Sequence, residues 1–209
     1  MKSLAEVTAT ESAVLIDCAS SVIQVAILEP AGEARWARST EEAGLGLFSC
    51  LDDLSIEPPR VASWIFCTGP GSILGIRTAA MALRTWGVLR SAPIYGYLSL
   101  TLVAHAQSGE EVPVIADARR DSWHVFTRAG GLRRVPAAEM TGPFITPAGF
   151  RHWSPLPAGT TEVSYDLREL LPRVWQTPLL SPCPEPDAFL HEQPSYVTWT
   201  PAIHRAPAT

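Results

Sequence analysis

The stretch VASWIFCTGPGSILGIRTAAMALRTWGVL, residues 61–89, joins a strand, a glycine turn and a helix. The apolar run over residues 61–69 predicts a buried strand, and the GPGS segment predicts a tight turn. Ser72 is a natural N-cap for a helix over residues 73–89. Strands that alternate with helices are typical of α/β proteins, so this stretch indicates an α/β fold class.

The helix predicted over residues 73–89 is apolar on two flanks. Its strongly polar residues, Arg77 and Arg84, share one stripe because they are seven positions apart. The two flanks beside this stripe consist of Ile73, Ile76, Ala80 and Leu83, and of Leu74, Met81 and Val88. A helix that is apolar almost all round is buried on more than one side. Its own sheet covers one flank, and either a second helix of the same domain or a partner protein covers the other.

The rest of the chain predicts two lobes. Three short strands over residues 13–19, 21–30 and 33–40 form a meander, followed by a short helix over residues 46–54. Beyond the central stretch we predict a strand over residues 93–100, a helix over 100–107, strands over 112–119 and 122–128, and a helix over 165–175. We therefore expect a disordered tail over residues 1–12, a first lobe over 13–108 and a second lobe over 109–209.

Proline usage separates the last third of the chain from the rest. Residues 1–135 contain six of the nineteen prolines, whereas residues 136–209 contain thirteen. Proline ends helices and is excluded from central strands, so turns and extended pieces dominate the last third. We expect a second lobe that is reduced relative to the first.

Charge and cysteine content exclude several classes of function. The chain has 16 Lys+Arg against 21 Asp+Glu, so it lacks the positive surface of a nucleic-acid-binding protein. Lys2 is the only lysine, which removes the residue that Walker-type phosphate loops and Schiff-base enzymes need. The four cysteines show no CxxC spacing, as in reduced cytosolic proteins. We expect a cytoplasmic protein with no export signal and no membrane span.

The glycine turn before the central helix is a candidate ligand-binding loop. Gly69, Gly71 and Ser72 precede a helix N-terminus, where free N–H groups and the helix dipole attract a phosphate or carboxylate. The GxGxxxG spacing differs from a dinucleotide fingerprint, and Ile73 stands where a nucleophile elbow has serine. The favoured alternative is a tight turn in which Ser72 only caps the helix.

Two aspartates follow apolar strands and are candidate site residues. Asp17 ends the first strand, where nucleotide-binding folds place a metal or phosphate contact, although capping a turn is the favoured alternative. Asp117 repeats this geometry in the second lobe, and the arginines at 119–120 either bind an anion or form a solvated, salt-bridged loop. The five histidines lack metal-site spacing, and no histidine pairs with a nucleophile. We expect no catalytic residue, metal or cofactor.

Four motifs, taken in order, resemble the TsaB family, also called YeaZ. They are Ile16-Asp17-Cys18-Ala19, Gly69-Pro70-Gly71-Ser72-Ile73-Leu74-Gly75-Ile76-Arg77, Asp117-Ala118-Arg119 and Pro194-Ser195-Tyr196-Val197. The family has IDTS, GPGSFTGLRIG, a DAR strand and a late PxYLR, so this chain departs at Ile73-Leu74 and at Thr198. The resemblance implies a two-lobed fold of the actin, hexokinase and sugar-kinase superfamily, with a mixed sheet and helices in each lobe.

The resemblance also implies a function. TsaB-like proteins are non-catalytic companions of the TsaD transferase, which acts with the TsaE ATPase to form threonylcarbamoyladenosine beside the tRNA anticodon. They pair with TsaD, or with themselves as a homodimer, through helices of the first lobe, and they meet tRNA only through the complex. Two alternatives from other classes are an ATP-dependent small-molecule kinase of the same superfamily and a glycoprotease-like hydrolase.

Two groups of site residues follow for this chain. A vestigial phosphate loop comprises Asp17, Gly69, Gly71 and Ser72. The partner interface, on the helices predicted over residues 46–54 and 73–89, comprises Leu47, Phe48, Leu51, Leu74, Arg77, Ala80, Met81 and Arg84. We expect its two arginines at the rim or paired with acidic residues across it.

Overall fold

The computed structural model describes residues 1–30 and 32–188 of the chain. The strands in these residues are β1 (Ala13–Asp17), β2 (Ile23–Leu28), β3 (Ala34–Ser39), β4 (Trp64–Gly69), β5 (Ile94–Leu98), β6 (Val114–Asp117), β7 (Ser122–Thr127), β8 (Gly131–Pro136), β9 (Phe144–Pro147), β10 (Thr160–Val163) and β11 (Ser181–Pro182). The helices are α1 (Leu4–Val7), α2 (Ala43–Asp53), α3 (Ile73–Leu89), α4 (Ser99–Ala106) and α5 (Leu167–Val174). Strands and helices alternate from β3 to α4, as the sequence predicts.

The first sheet has the strand order β11-β5-β4-β1-β2-β3. Strands β1, β2 and β3 form the predicted antiparallel meander, and β4 and β5 extend the sheet in parallel with β1. Neighbouring residues of a strand point to opposite faces. Ile23 of β2 lies under α2, whereas the Gln24 side chain bonds to the backbone at the start of α5. Helices therefore cover both faces, which explains why β1 and β2 are buried along their whole length.

The second sheet repeats the topology of the first. Its strand order is β10-β9-β6-β7-β8, in which β6, β7 and β8 form an antiparallel meander and β9 runs parallel to β6. Strands β9 and β10 lie in the proline-rich third and were missed by the sequence patterns. The two mixed sheets with their helices confirm the two-lobed α/β fold class.

The N-terminal segment corrects the expectation of a disordered tail. Ser3 and Glu6 form a capping box around α1, with Ser3 N donating to Glu6 Oε2 at 2.7 Å. Leu4 is buried, and Lys2 pairs with Leu180 through two backbone hydrogen bonds. The prediction was wrong because residues far along the chain, Trp175 and Leu180, supply the backbone partners of the segment, and no local pattern shows them.

The domain boundaries also differ from the prediction. The chain returns to the first sheet at its far end, because β11 pairs with β5 in an antiparallel ladder. Helix α5 packs against α4 and beside the β2–β3 hairpin, so it belongs to the first sheet as well. The second lobe therefore does not extend without interruption from residue 109 to the C-terminus.

Glycines set how closely α2 and α3 approach the first sheet. A Cβ added to Gly75 would lie 2.2 Å from the Cys18 carbonyl oxygen, so α3 packs directly on the turn after β1. A Cβ on Gly46 would lie 2.6 Å from Cδ1 of Ile23, so this glycine lets α2 pack closely on β2. Helix α2 begins at Ala43, before the predicted start at residue 46. Ser72 Oγ accepts from Gly75 N at 3.3 Å, so the predicted N-cap is confirmed.

We predict opposite effects for two glycine substitutions in α3. Gly75→Ala places a methyl group against backbone and destabilises the protein by about 1–3 kcal/mol or more. Gly87→Ala is the matched control, because no atom lies within 4 Å of its added Cβ and alanine has the higher helix propensity. Urea unfolding of both variants measures the difference. Equal stability of the two would show that the contact of α3 with Cys18 is not tight.

Candidate functional site

A cleft of ≈ 180 Å³ lies between the two lobes. One wall is the glycine loop from Gly69 to Ser72 with the start of α3, and the opposite wall is the turn after β6. The residues that line it are Thr68, Gly69, Pro70, Gly71, Ser72, Ile73, Leu74, Ile76, Asp117, Ala118, Arg119, His124, Arg151, Trp153 and Ala188. The fold thus brings together the glycine turn and the Asp117 motif, which are far apart along the chain.

The glycine loop is held by the turn that follows β1. Ser72 N donates to the Ala19 carbonyl oxygen at 2.7 Å, and Ser99 Oγ donates to the Pro70 carbonyl oxygen at 2.5 Å. Gly71 has φ +156°, and a Cβ at this position would lie 2.4 Å from the Ala19 carbonyl oxygen. The glycines thus serve close backbone packing, and a role of Gly69, Gly71 and Ser72 in binding a phosphate stays a prediction.

Asp17, which the predicted phosphate loop includes, does not line the cleft. The side chain is 0% exposed and lies inside the first lobe. Its Oδ1 accepts from Ala19 N at 2.8 Å, and its Oδ2 accepts from the hydroxyls of Tyr97 at 2.5 Å and Tyr165 at 2.7 Å. The Asp17 carboxyl therefore joins β1, β5 and the segment that enters α5.

The surroundings of Asp17 change its proton affinity. Burial raises the pKa of the Asp17 carboxyl above its ordinary value of 3.8, against the opposing effect of hydrogen bonds from Tyr97, Ala19, Tyr165 and Cys67. Burial also raises the pKa of both tyrosine hydroxyls well above 10, so both remain protonated donors. Both carboxyl oxygens of Asp17 thus accept hydrogen bonds that link segments of the first lobe.

Gln24 completes this junction. It is the cross-strand neighbour of Asp17 in the β1–β2 ladder and is fully buried. Its Nε2 donates to the Tyr165 carbonyl oxygen at 2.8 Å, and its Oε1 accepts from Leu167 N at 2.9 Å. We call Asp17, Gln24, Tyr97 and Tyr165 the buried polar junction. Sequence reasoning missed three of its four members, because nothing in their local patterns links them across about 140 residues.

Asp117 organises the opposite wall of the cleft. Its Oδ1 accepts from Arg119 N at 2.6 Å, and its Oδ2 accepts from Trp153 N at 2.6 Å and Ser154 N at 3.0 Å. The expected salt bridge from a neighbouring arginine is absent among the described ion pairs, so that alternative was wrong. Asp117 instead pins the turn after β6 to the loop that carries Arg151 and Trp153.

The turn between β6 and β7 has an unusual backbone. Arg119, Arg120 and Asp121 have φ values of +61°, +50° and +51°, a region that non-glycine residues seldom adopt. Each such residue costs on the order of 1 kcal/mol, and such strain clusters at functional sites. Arg134 Nη2 donates to the Arg119 carbonyl oxygen at 3.1 Å, and the Arg119 guanidinium lies 5.2 Å from the Trp153 ring centroid. The turn is therefore fixed from several sides.

The predicted partner interface divides into exposed and buried residues. Leu74 is 76% exposed, Met81 57% and Phe48 49%, and Arg77 is exposed beside them. Further exposed apolar residues on the same two helices are Leu45, Ile73, Val88 and Leu89. We call Leu45, Phe48, Leu74, Met81 and Val88 the apolar helix face. Within the part of the chain that the structure describes, the flank of α3 that contains Leu74, Met81 and Val88 is thus exposed.

Four predicted interface residues need correction. Leu47, Leu51 and Ala80 are at most 3% exposed and belong to the core, since they lie on the sides of α2 and α3 that face the sheet. Arg84 is bound within the chain: its Nε donates to the Pro186 carbonyl oxygen at 2.7 Å, and its Nη2 lies 3.6 Å from Asp187 Oδ2. The helical pattern did not show which flank faces the sheet, nor that the chain returns along α3.

Other predictions concern cysteines, membranes and the late motif. Cys18, Cys50, Cys67 and Cys183 are all free, and the first three are buried. Among the described residues, no helix has the length and apolar character needed to cross a membrane. The same residues contain no group of three His, Cys, Asp or Glu placed to hold a metal ion. The late motif at 194–198 lies outside the described residues.

Comparison with known proteins finds similarity among solved structures. No protein-family model and no curated protein matches the chain. The chain is similar to an uncharacterized Pseudomonas aeruginosa protein with similarity to peptidase YeaZ, at 20% identity and a TM-score of 0.48 over 65% of this chain and 74% of that chain. It is also similar to YeaZ from Pseudomonas aeruginosa, at 19% identity and a TM-score of 0.48 over 66% of this chain and 76% of that chain.

We predict that the junction tyrosines stabilise the fold through Asp17. Tyr97→Phe and Tyr165→Phe each remove one hydrogen bond to a buried carboxyl and lower the free energy of unfolding by about 1.5–3 kcal/mol. Tyr95→Phe is the matched control on β5, because the Tyr95 hydroxyl bonds only to the exposed Lys2 side chain among the described residues. Urea unfolding measures all three. A Tyr95→Phe variant as unstable as the other two would contradict the role of Asp17.

We predict that Asp17 makes the free energy of unfolding depend on pH and that this contribution disappears in the Asp17→Asn variant. Burial raises the pKa of Asp17 in the folded state, so the protonated carboxyl stabilises the fold. This contribution to the free energy of unfolding is fully present below pH 3.8 and is lost as the pH rises through the folded-state pKa. The free energy of unfolding of the wild-type protein, minus that of Asp17→Asn, therefore falls as pH rises above 3.8. Urea unfolding over a pH series measures this difference. If this difference rises with pH instead, folding stabilises the ionised carboxylate and the folded-state pKa of Asp17 is lowered, against the prediction.

Proposed function

We propose that this chain is a TsaB-like companion subunit of the tRNA threonylcarbamoyladenosine machinery and that it is not itself an enzyme. The proposal is supported by the order of the IDCA, GPGSILGIR and DAR motifs and by the repeated topology of the two sheets. It depends above all on one observation, the apolar helix face on α2 and α3. This face offers a partner large apolar side chains on two helices that contact each other.

The apolar helix face has the chemistry of a helix-packing interface. Val88, Leu74 and Met81 repeat at helical spacing on one side of α3, and Phe48 of α2 contacts the Trp86 ring at 6.3 Å between centroids. Buried apolar surface contributes about 25 cal/mol per Å², so leaving these side chains in water is costly. Two helices from each partner would pack as four helices and cover both faces.

The charges around the face favour a partner built in the same way. Exposed acidic residues, Asp52 and Asp53, lie at the end of α2, while the exposed Arg77 lies on α3. If the subunits pair so that α2 of one faces α3 of the other, these opposite charges meet. The partner is a TsaD-like transferase with the same two helices, or a second copy of this chain when it is alone. A TsaE-like ATPase and tRNA would join through that complex, in the cytoplasm.

The surroundings of the aspartates and of the buried cysteines argue against the two enzyme alternatives. A kinase of this superfamily needs free carboxylates at its phosphate loops, but both oxygens of Asp17 and both oxygens of Asp117 accept hydrogen bonds from the chain itself. A glycoprotease-like hydrolase needs a nucleophile with its base. Burial raises the pKa of the Cys18, Cys50 and Cys67 thiols, which keeps them protonated and unreactive.

We predict that Met81→Glu abolishes partner binding while the chain stays folded. A charge in the centre of an apolar interface costs several kcal/mol, so self-association and binding to a TsaD-like subunit weaken by about a hundredfold or more. Leu156→Glu is the matched control, because it puts the same charge on an exposed apolar residue outside the face. Size-exclusion chromatography with light scattering and co-purification measure both interactions.

The Ala80→Asp variant tests the opposite, buried side of α3. Ala80 is 2% exposed, so its carboxylate would be buried in the core and the variant would unfold, as circular dichroism would show. Binding by Met81→Glu that equals wild-type binding would rule out this face as the interface. An unfolded Met81→Glu variant would show that the flank is part of the core, against the exposure seen here.

We also predict that the isolated protein hydrolyses neither ATP nor peptides. Phosphate release from ATP and cleavage of a casein substrate are the measurements, with the Asp17→Asn variant as the control for contaminating enzymes. Activity that is present in the wild-type protein and lost in Asp17→Asn would overturn the non-catalytic assignment and favour the kinase alternative.

A further inference from the structure

A second cavity, of ≈ 440 Å³, lies between the β2–β3 hairpin and helix α5. Its volume falls within the roughly 300–1,000 Å³ that is typical of small-molecule pockets. Helix α5 and the helix α2 lie on opposite faces of the first sheet, so this cavity is separate from the apolar helix face. We call it the aromatic pocket, and its described lining residues are Leu28, Gly32, Ala34, Trp36, Arg168, Leu171, Pro172 and Trp175.

The two walls of the aromatic pocket follow from the periods of a strand and a helix. In the β2–β3 ladder, Trp36 stands opposite Ala26, and Ala34 stands opposite Leu28. Alternate residues of a strand share a face, so Trp36 lies on the face of the sheet that α5 covers. The other wall consists of residues 168, 171, 172 and 175, whose spacing of i, i+3, i+4 and i+7 places them on one side of a helix.

Arg168 is the one charged side chain among the described lining residues, and its guanidinium is held in place. Its Nε donates to Asp166 Oδ1 at 3.0 Å and its Nη2 donates to Asp166 Oδ2 at 2.5 Å, whereas its Nη1 donates to no described residue. Arg38 Nη1 also lies 3.2 Å from Asp166 Oδ2, so two arginines share one aspartate and one positive charge is left over. The nearby acidic residues Glu33 and Glu169 do not line the pocket. The charge of the pocket therefore favours an anion.

The two tryptophans add flat surfaces and further donors. Both rings are partly buried, and neither indole N–H donates to a described residue. The indole Nε1 is a donor only, so both tryptophans need an acceptor from outside the chain. Gly32 lets the hairpin turn pack on Trp175, since its added Cβ would lie 3.8 Å from Cε2 of that ring. Aromatic rings prefer to pack on other aromatic rings, which favours a ligand with a ring of its own.

We propose that the aromatic pocket binds a small planar aromatic carboxylate. The ring of the ligand packs against Trp36, Trp175 and the apolar side of α5, and its carboxylate accepts from Arg168 Nη1. Charge-assisted hydrogen bonds of this kind are stronger than bonds between neutral groups, so the carboxylate adds affinity and orientation. A site for a small molecule goes beyond the proposed function, which requires no ligand other than a partner protein.

Calorimetric titration of the full chain tests this proposal. The probes are two aromatic carboxylates, indole-3-acetate and benzoate, and their uncharged amides, indole-3-acetamide and benzamide, each added at constant ionic strength. We expect saturable binding of at least one carboxylate. We expect its amide to bind roughly tenfold more weakly, because the amide has the same ring but no charge to pair with Arg168.

Two variants separate the contributions of the charge and of the ring. Arg168→Gln weakens the binding of the carboxylate by roughly tenfold and leaves the affinity for the amide unchanged. Trp36→Leu weakens the binding of the carboxylate and of the amide alike, by roughly fivefold, because a packing surface for the ring is lost.

Each variant has a matched control. Arg173→Gln removes an exposed arginine of α5 that does not line the pocket, and Trp153→Leu removes an exposed tryptophan of the second lobe, so both leave the affinity unchanged. Thermal unfolding of each variant checks that the chain remains folded, and the comparison of carboxylate with amide needs only the wild-type chain. Three results would overturn the proposal: no saturable binding of either carboxylate, an amide that binds as tightly as its carboxylate, or an equal loss of affinity in Arg173→Gln and Arg168→Gln.

Discussion

The buried carboxyl of Asp17 is the contact on which the arrangement of the first lobe depends. It accepts hydrogen bonds from β5 through Tyr97 and from the approach to α5 through Tyr165, while its own strand lies at the centre of the sheet. An unpaired carboxyl at this depth would cost several kcal/mol, so the two tyrosines must occupy these positions whenever the lobe is folded. The buried Gln24 amide on the neighbouring strand likewise needs its hydrogen bonds to the backbone of Tyr165 and Leu167.

The placement of α5 has consequences for the surface of the lobe. Because the segment from Tyr165 to Leu167 covers one face of the first sheet, the other face is left to α2 and α3. Glycines at 46 and 75 let these helices approach the strands closely, and their remaining apolar side chains then point outwards. Helices α2 and α3 have more apolar residues than their contact with the sheet can bury. The remaining ones form the apolar helix face.

The two aspartates at the strand ends show how equal sequence patterns lead to different chemistry. Asp17 and Asp117 both follow apolar strands, and both accept a backbone N–H two residues further on. Asp17 is enclosed by helices on both sides and becomes a buried junction. Asp117 lies at the cleft and joins two loops, which leaves Arg119 and Arg151 at the surface. The surroundings of a carboxyl, set by packing, decide its role.

The sequence by itself determined the elements whose signals are local. The helix from Ile73 to Leu89, its Ser72 cap and the opening meander follow from apolar periodicity, capping chemistry and turn residues within a few positions. Only the tertiary structure decided which flank of α3 is buried, that Ala80 belongs to the core and that Arg84 binds residues 186–187. The partners of Arg84 lie about 100 positions away in the sequence, and a local pattern contains no information about such distant contacts.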